Sequence, residues 1–326
     1  MKRRALLAST AAAALLPTLA RAQSQKRLPL VGVLSLLAQS DPDDRRRLAA
    51  FAKGLEALGW IEGKTILIER CWAGGDVSAV ARYVDELVAL KPDVILANGT
   101  PNIVALKKAT TTIPIVCALV VDPVGLGLVA NLARPGGNVT GFAFINSELI
   151  GKYWSLLSEV DPSMRRTVLL FNSSINAQYF RFVEEIERQG GPRIEPISVQ
   201  TVDAMRSAIA ALGQTKNAGI ILPPDGFLVG HIAEVASLAI ANRLPAVSVY
   251  QPFASAGGLM SYGPDTADIF RRSAGYVDRI LKGVNPAELP VQQPDLFNFT
   301  INLKTAKALG LGVPPNMIAR ADEVIE

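Results

Sequence analysis

From Pro29 onward the chain alternates short β-branched runs with longer amphipathic stretches, and no other feature limits its fold as much. Strands separated by helices can share a sheet only if they run parallel, with the helices covering both faces. The strands fall into two sets of five. The first set is 30–36 (LVGVLSL), 65–71 (TILIERC), 93–98 (DVILAN), 115–120 (IVCALV) and 139–144 (VTGFAF), with helices such as 45–58 and 77–89 between them. The second set is 167–171 (TVLLF), 195–199 (EPISV), 219–222 (GIIL), 246–250 (AVSVY) and 259–262 (LMSY), with helices at 177–189, 202–212 and 229–242. In those helices apolar residues recur at three and four residue spacings. The pattern predicts an α/β protein of two doubly wound, Rossmann-like parallel-sheet lobes.

The chain crosses between the lobes near Asn146 and Ser147. A long helix at 266–282, a connection marked by Pro286, Pro290 and Pro294, and a strand at 297–303 remain after the second set is complete. The leftover helix most simply returns to pack on the first lobe, after which the last strand crosses back. The expected division is therefore 23–145 with 264–295 for the first lobe, and 146–263 with 296–326 for the second. Several linkers make a three-strand hinge, and the space between the lobes is a cleft.

The first 22 residues look like an address label rather than part of a fold. Lys2, Arg3 and Arg4 precede an apolar stretch from Ala5 to Ala20, and Ala20-Arg21-Ala22 has the small-x-small pattern of a cleavage site. This predicts an exported, periplasmic protein cleaved near Ala22. The stretch is short for a bilayer-spanning helix and is interrupted by Pro17, so the mature chain is not expected to insert in a membrane. Arg3-Arg4 leaves both the general and the twin-arginine export routes open.

The label holds four basic residues and no acid, which accounts for the whole formal net charge of +4. Without it the chain is formally neutral, and the case for a nucleic-acid partner disappears. Hydrophobic residues make up 49% of the chain, enough for two buried cores and too many for disorder. Cys71 and Cys117 fall on the second and fourth strands, which are not neighbours in sheets of this type, and two buried thiols are expected rather than a disulfide. Two separated cysteines and a lone His231 at a helix terminus build no metal site.

Ligands of open parallel sheets bind outside the carboxyl ends of the strands. The residues there are Ser35, Asn98-Gly99-Thr100-Pro101, Asp122-Pro123, Asn172-Ser173-Ser174-Ile175-Asn176, Pro223-Pro224-Asp225-Gly226 and Tyr250-Gln251. Thr100-Pro101 and Asn172-Ser173-Ser174 have the chemistry of helix starts. Such starts present unpaired N–H groups and partial positive charge to an anion, although the same side chains also serve as ordinary caps. Asp122 and Asp225 are the acids of the set and would pair with a cationic amino group, with Asp225 favoured; the alternative for each is a helix cap or a turn. Phe144, Tyr179, Phe227, Tyr250 and Phe253 would supply an apolar wall, unless they are core.

There is no G-x-G-x-x-G or Walker loop, no G-x-S-x-G elbow and no histidine placed to serve a serine. Binding without chemistry or cofactor is the expectation; an enzyme on a Rossmann-like scaffold is disfavoured. The lack of an N-terminal helix-turn-helix also opposes a repressor.

Four segments extend the reading: 132–142 (LARPGGNVTGF), 257–265 (GGLMSYGPD), 280–291 (ILKGVNPAELPV) and 301–326 (INLKTAKALGLGVPPNMIARADEVIE). In their order they resemble the signatures of ABC-transporter substrate-binding proteins of the tryptophan/tyrosine type, from about Lys26 to the C-terminus. The resemblance implies a type I periplasmic binding protein fold, a small organic solute such as an amino acid or other small carboxylate, an ABC permease as membrane partner, and a monomer. A periplasmic sensor presenting its liganded state to a membrane-bound signalling protein is the alternative role. By motif match the family's cleft falls on Thr100, Pro101, Asp122, Asn172, Ser173, Ser174, Asn176, Asp225, Tyr250 and Gln251. Val121 and Pro224 stand where threonine is common, and Gln251 where some relatives carry an acid. These departures weaken the implication of an amino-acid solute.

Overall fold

The computed structural model describes residues 27–144 and 147–326, so the address-label segment 1–22 lies outside the described residues, as does Asn146 at the first crossing. The first half runs β1 (Leu30–Ser35), α1 (Pro42–Ala57), β2 (Leu67–Trp72), α2 (Val77–Ala89), β3 (Val94–Asn98), α3 (Thr100–Ala109), β4 (Ile115–Val120) and β5 (Val139–Ala143). Its five strands are all parallel, in the order β2-β1-β3-β4-β5. Strand periodicity explains why both faces are dry. Val31 and Val33 of β1, Val94 and Leu96 of β3, and Val116 of β4 point into one core with Phe51 and Leu55 of α1. Their neighbours Leu34, Ile95, Ala97 and Ile115 point into another with Val84 and Leu87 of α2. Each of the Val, Leu, Ile and Phe side chains among them contributes about 1.5–3 kcal/mol by leaving water.

The second half continues with α4 (Ser147–Val160), β6 (Arg166–Phe171), α5 (Ser173–Asn176), α6 (Gln178–Arg188), β7 (Glu195–Ser198), α7 (Val202–Gly213), β8 (Ala218–Leu222), α8 (Gly226–Gly230), α9 (Ile232–Ala241), β9 (Ala246–Ser248), α10 (Pro252–Ser255) and β10 (Met260–Pro264). Then come α11 (Thr266–Leu281), β11 (Phe297–Asn302), α12 (Leu303–Leu309), α13 (Pro315–Arg320) and β12 (Glu323–Ile325). The second sheet has seven strands in the order β12-β11-β10-β9-β8-β6-β7, parallel except for the antiparallel β10–β11 pair. The sequence reading of this half lacked β12 and the two short helices before it, because a three-residue strand and helices of less than two full turns leave no periodicity to read.

After β10 the chain goes back to the first sheet. α11 lies against α1 so closely that a Cβ on Gly54 would sit 2.7 Å from the Arg271 carbonyl oxygen. Trp60 Nε1, just beyond the end of α1, donates to Asp278 of α11 at 2.9 Å. The segment that follows runs beside β5: Phe142 bridges Gln292, and Thr140 Oγ1 donates to the Leu289 carbonyl at 2.6 Å. β11 then pairs with β10 in the second sheet, Met260 opposite Ile301 and Pro264 opposite Phe297.

Cys71 on β2 and Cys117 on β4 are free thiols separated by two strands, and burial pushes the Cys117 thiol up to about 12. Among the described residues no group of three or more His, Cys, Asp or Glu side chains is placed to hold a metal ion, and no helix is long and apolar enough to cross a membrane.

Candidate functional site

The carboxyl ends of the two sheets face each other across a narrow cleft, with a cavity volume of about 60 Å³. Asn98, at the end of β3, is fixed on the first wall because its Oδ1 accepts the Leu36 backbone N–H at 2.7 Å. Next to it α3 starts on Gly99, which has no side chain to cap the helix. The Thr100 hydroxyl, which the sequence offers as a cap, instead accepts the Val121 backbone N–H at 3.1 Å. It ties the end of β4 to α3 and leaves the helix start uncapped at the cleft.

On the second wall Asp225 ends the turn after β8. Its Oδ2 accepts the Asn172 backbone N–H at 2.8 Å and Asn176 Nδ2 at 2.9 Å, and its Oδ1 accepts the Leu228 backbone N–H at 3.0 Å. Burial raises its pKa above the ordinary carboxyl value, and these bonds offset part of the rise. Asn176 Oδ1 is in turn taken by Gln178 Nε2 at 3.2 Å. Tyr250 completes the wall. Its ring centroid lies 6.2 Å from that of Phe144, and burial holds its phenol well above the ordinary range, with the Arg47 guanidinium opposing the shift.

Of the residues read from the sequence, Thr100, Pro101, Asn176, Asp225 and Tyr250 line this cleft. Ser35, Asp122, Asn172, Ser173, Ser174 and Gln251 do not, and most are occupied elsewhere. Ser35 Oγ donates to Asp44 Oδ1 at 2.5 Å, beneath the wall. Asp122, in the left-handed region with φ 50°, forms an ion pair with Arg181 of α6. Asn172 caps α5 by accepting the Ser174 N–H at 3.0 Å, and Ser173 Oγ accepts from Ser198 Oγ at 2.6 Å. Gln251 precedes α10 with no side-chain bond to its start. Two of the expected wall aromatics are core: Phe253 is buried, and so is Tyr179, whose hydroxyl donates to the Pro224 carbonyl at 2.6 Å. Phe227 packs on His231, its ring centroid 4.8 Å away.

The residue missed is Arg47. It lines the cleft from α1, only 3% exposed, and it forms an ion pair with Asp43. A signal for it does exist in the sequence. The buried positions of α1 are Asp44, Arg47, Phe51 and Leu55, a helical spacing of three, four and four in which two charged residues share the phase of two apolar ones. Asp44 is explained by its donors, Ser35 Oγ and Trp72 Nε1 at 2.9 Å, while burial raises its pKa.

Two mostly parallel sheets with helices on both faces, joined by several crossings and open to each other at their carboxyl ends, define a two-lobed binding protein of the type I periplasmic fold. Comparison with known proteins narrows this. Residues 31–325 match the family described as ABC transporter substrate binding protein, and the chain belongs to that family. Its members bind small solutes and are not enzymes. The chain is 27% identical over 288 residues to the tyrosine-binding protein of Clostridioides difficile strain R20291, an alignment covering 88% of this chain and 82% of the relative. It superposes with a TM-score of 0.82, at 26% identity, on an ABC domain from Streptococcus pneumoniae in complex with L-Trp, covering 91% of this chain and all of that one. The ligand-free, open structure of a substrate-binding protein with adhesive properties from Clostridium difficile superposes with a TM-score of 0.69 at 24% identity, covering 91% and 99%.

Proposed function

We propose that this protein is the exported receptor of an ABC importer, closing two lobes on a small organic solute and delivering it to a permease. One observation carries the reading: the cleft takes its walls from both sheets, with Arg47, Asn98 and Thr100 on one side and Asn176, Asp225 and Tyr250 on the other. A solute touching both walls interacts fully only with the closed form, and that difference in affinity drives closure. The moving units are 23–145 with 264–295 and 146–263 with 296–326. The packing of α11 on α1 and the pairing of β11 with β10 support this division. The closer superposition on a ligand complex than on an open structure supports a closed arrangement of the lobes. The basic, apolar and small-residue pattern of 1–22 supports export to the periplasm with cleavage near Ala22.

Small-angle scattering of the purified protein, with and without a solute that raises its melting temperature, tests the reading. Compaction on saturation is expected. Tight binding with unchanged dimensions would overturn the closure mechanism, and recovery of an unprocessed chain from the cytoplasm alone would overturn export.

A further inference from the structure

The polar groups of the cleft are unevenly supplied, and this bears on the solute if the protein is the receptor proposed above. Among the described lining residues Arg47 is the sole Lys or Arg and Asp225 the sole acid. Asp225 already accepts three N–H bonds from its own lobe, and Asn176 Oδ1 and Thr100 Oγ1 each accept one as well. The side-chain acceptors of Asp225, Asn176 and Thr100 are thus largely engaged within the protein.

The donors are in the opposite condition. Arg47 Nε is buried with no hydrogen-bond partner. The carboxylate with which Arg47 is ion-paired, Asp43, is shared with Arg46 at 2.9 Å, although Arg46 also reaches Asp265 at 3.4 Å and Arg47 feels the nearby Asp44 charge. A buried guanidinium with an orphaned donor costs free energy until an anion meets it. The start of α3 adds N–H groups without a side-chain cap to the same cleft. Around these donors the walls are apolar, with Leu36, Leu119, Val121, Pro224 and Val229 beside the Phe144 and Tyr250 rings.

The geometry points to a carboxylate carried on an apolar body, without an ammonium group, as the solute. Its carboxylate pairs with Arg47, and its aromatic or branched body fills the space between the lobes. An α-amino acid would bring an ammonium group to a cleft whose side-chain acceptors are already largely engaged, and a buried unpaired ammonium is strongly disfavoured. Arg47 is then the residue that determines specificity.

Titration calorimetry with 3-phenylpropanoate, L-phenylalanine and 3-phenylpropan-1-ol tests this. The three share a phenylpropyl body and differ only in the polar groups that they present. The propanoate should bind at least about tenfold more tightly than either of the others, the scale of one charged hydrogen bond. Arg47→Met should remove that preference and Arg47→Lys should keep part of it, with melting curves establishing that both variants fold. Phenylalanine or the alcohol binding as tightly as the propanoate would overturn the inference. Scattering on a parallel panel of amino acids and sugars separates the two readings. Closure on one of those but not on the propanoate sinks the carboxylate assignment and leaves the receptor standing, whereas closure on no member sinks both.

Discussion

The Asp225 carboxylate and the Asn172 backbone N–H, 2.8 Å apart, join the ends of β8 and β6, strands that are neighbours in the second sheet but 53 residues apart in the chain. A side chain attractive as a partner for a ligand amine is thereby the clamp that sets the shape of one cleft wall.

Asp225→Ala leaves the Asn172 and Leu228 N–H groups and one Asn176 amide donor without their acceptor. At about 1–3 kcal/mol for each buried orphan, the variant should lose about 3 kcal/mol or more, read as a lower urea midpoint. The pH dependence has a definite sign. Burial raises this carboxyl above its ordinary 3.8 in the folded state, so the folded protein binds the proton more readily than the unfolded one. Its contribution to stability falls as pH rises from that ordinary value through the raised one. Asp225→Asn should flatten this slope, while Asp44, shifted in the same direction, keeps its own.

The ion pair between Asp122 and Arg181 joins the loop after β4 to α6, and so connects the two halves beside the cleft. Arg181 is half exposed, so Arg181→Gln should change stability by less than about 1 kcal/mol. If closure brings the pair together, the variant should bind solute a few-fold more weakly and lose part of the salt dependence of binding. Calorimetry at two ionic strengths checks both.

Cys117 should resist alkylation at pH 8 in the folded protein and react after unfolding, because its thiol is pushed up to about 12 by burial. The unfolded thiol ionises near 9.0, so stability should decline as pH rises from 9.0 toward 12. Cys117→Ala should remove only part of that decline, since buried Tyr153 and Tyr179 have raised phenols as well. Denaturant melts across this range measure the difference.

Gly263 lies on β10 beside the crossing to α11, and a Cβ there would sit 1.9 Å from the Val249 carbonyl oxygen. Gly263→Ala must therefore displace backbone at a point through which the proposed lobe motion would pass. A loss of about 1–3 kcal/mol is expected, with a change in solute affinity that a surface substitution of equal destabilisation does not produce.

Most strands were legible because each central strand is an apolar run with a helical period on either side, as in β1, β3 and β4. The cleft was legible in part, through the rule that places sites at strand ends, and Thr100, Asn176, Asp225 and Tyr250 follow from it. That rule cannot tell which polar groups are already spent inside the fold. Ser35 is paired with Asp44 and Asp122 with Arg181, pairings that depend on helices nine and fifty-nine residues further along. Arg47 was hidden for the converse reason. A charged residue on an amphipathic helix is read as solvated unless its phase is checked, and its phase is that of Phe51 and Leu55.

The return of α11 to α1 has a consequence for how the molecule comes into being. Phe51 and Leu55, at the centre of the first core, face a helix that begins more than two hundred residues later, at Thr266. A nascent or translocating chain that has delivered all of the first five strands still lacks the cover of their sheet. The half that begins first is covered only after the first five strands of the other half have been made, and a fragment ending before Thr266 should stay sticky and sensitive to protease, however complete its own run of strands.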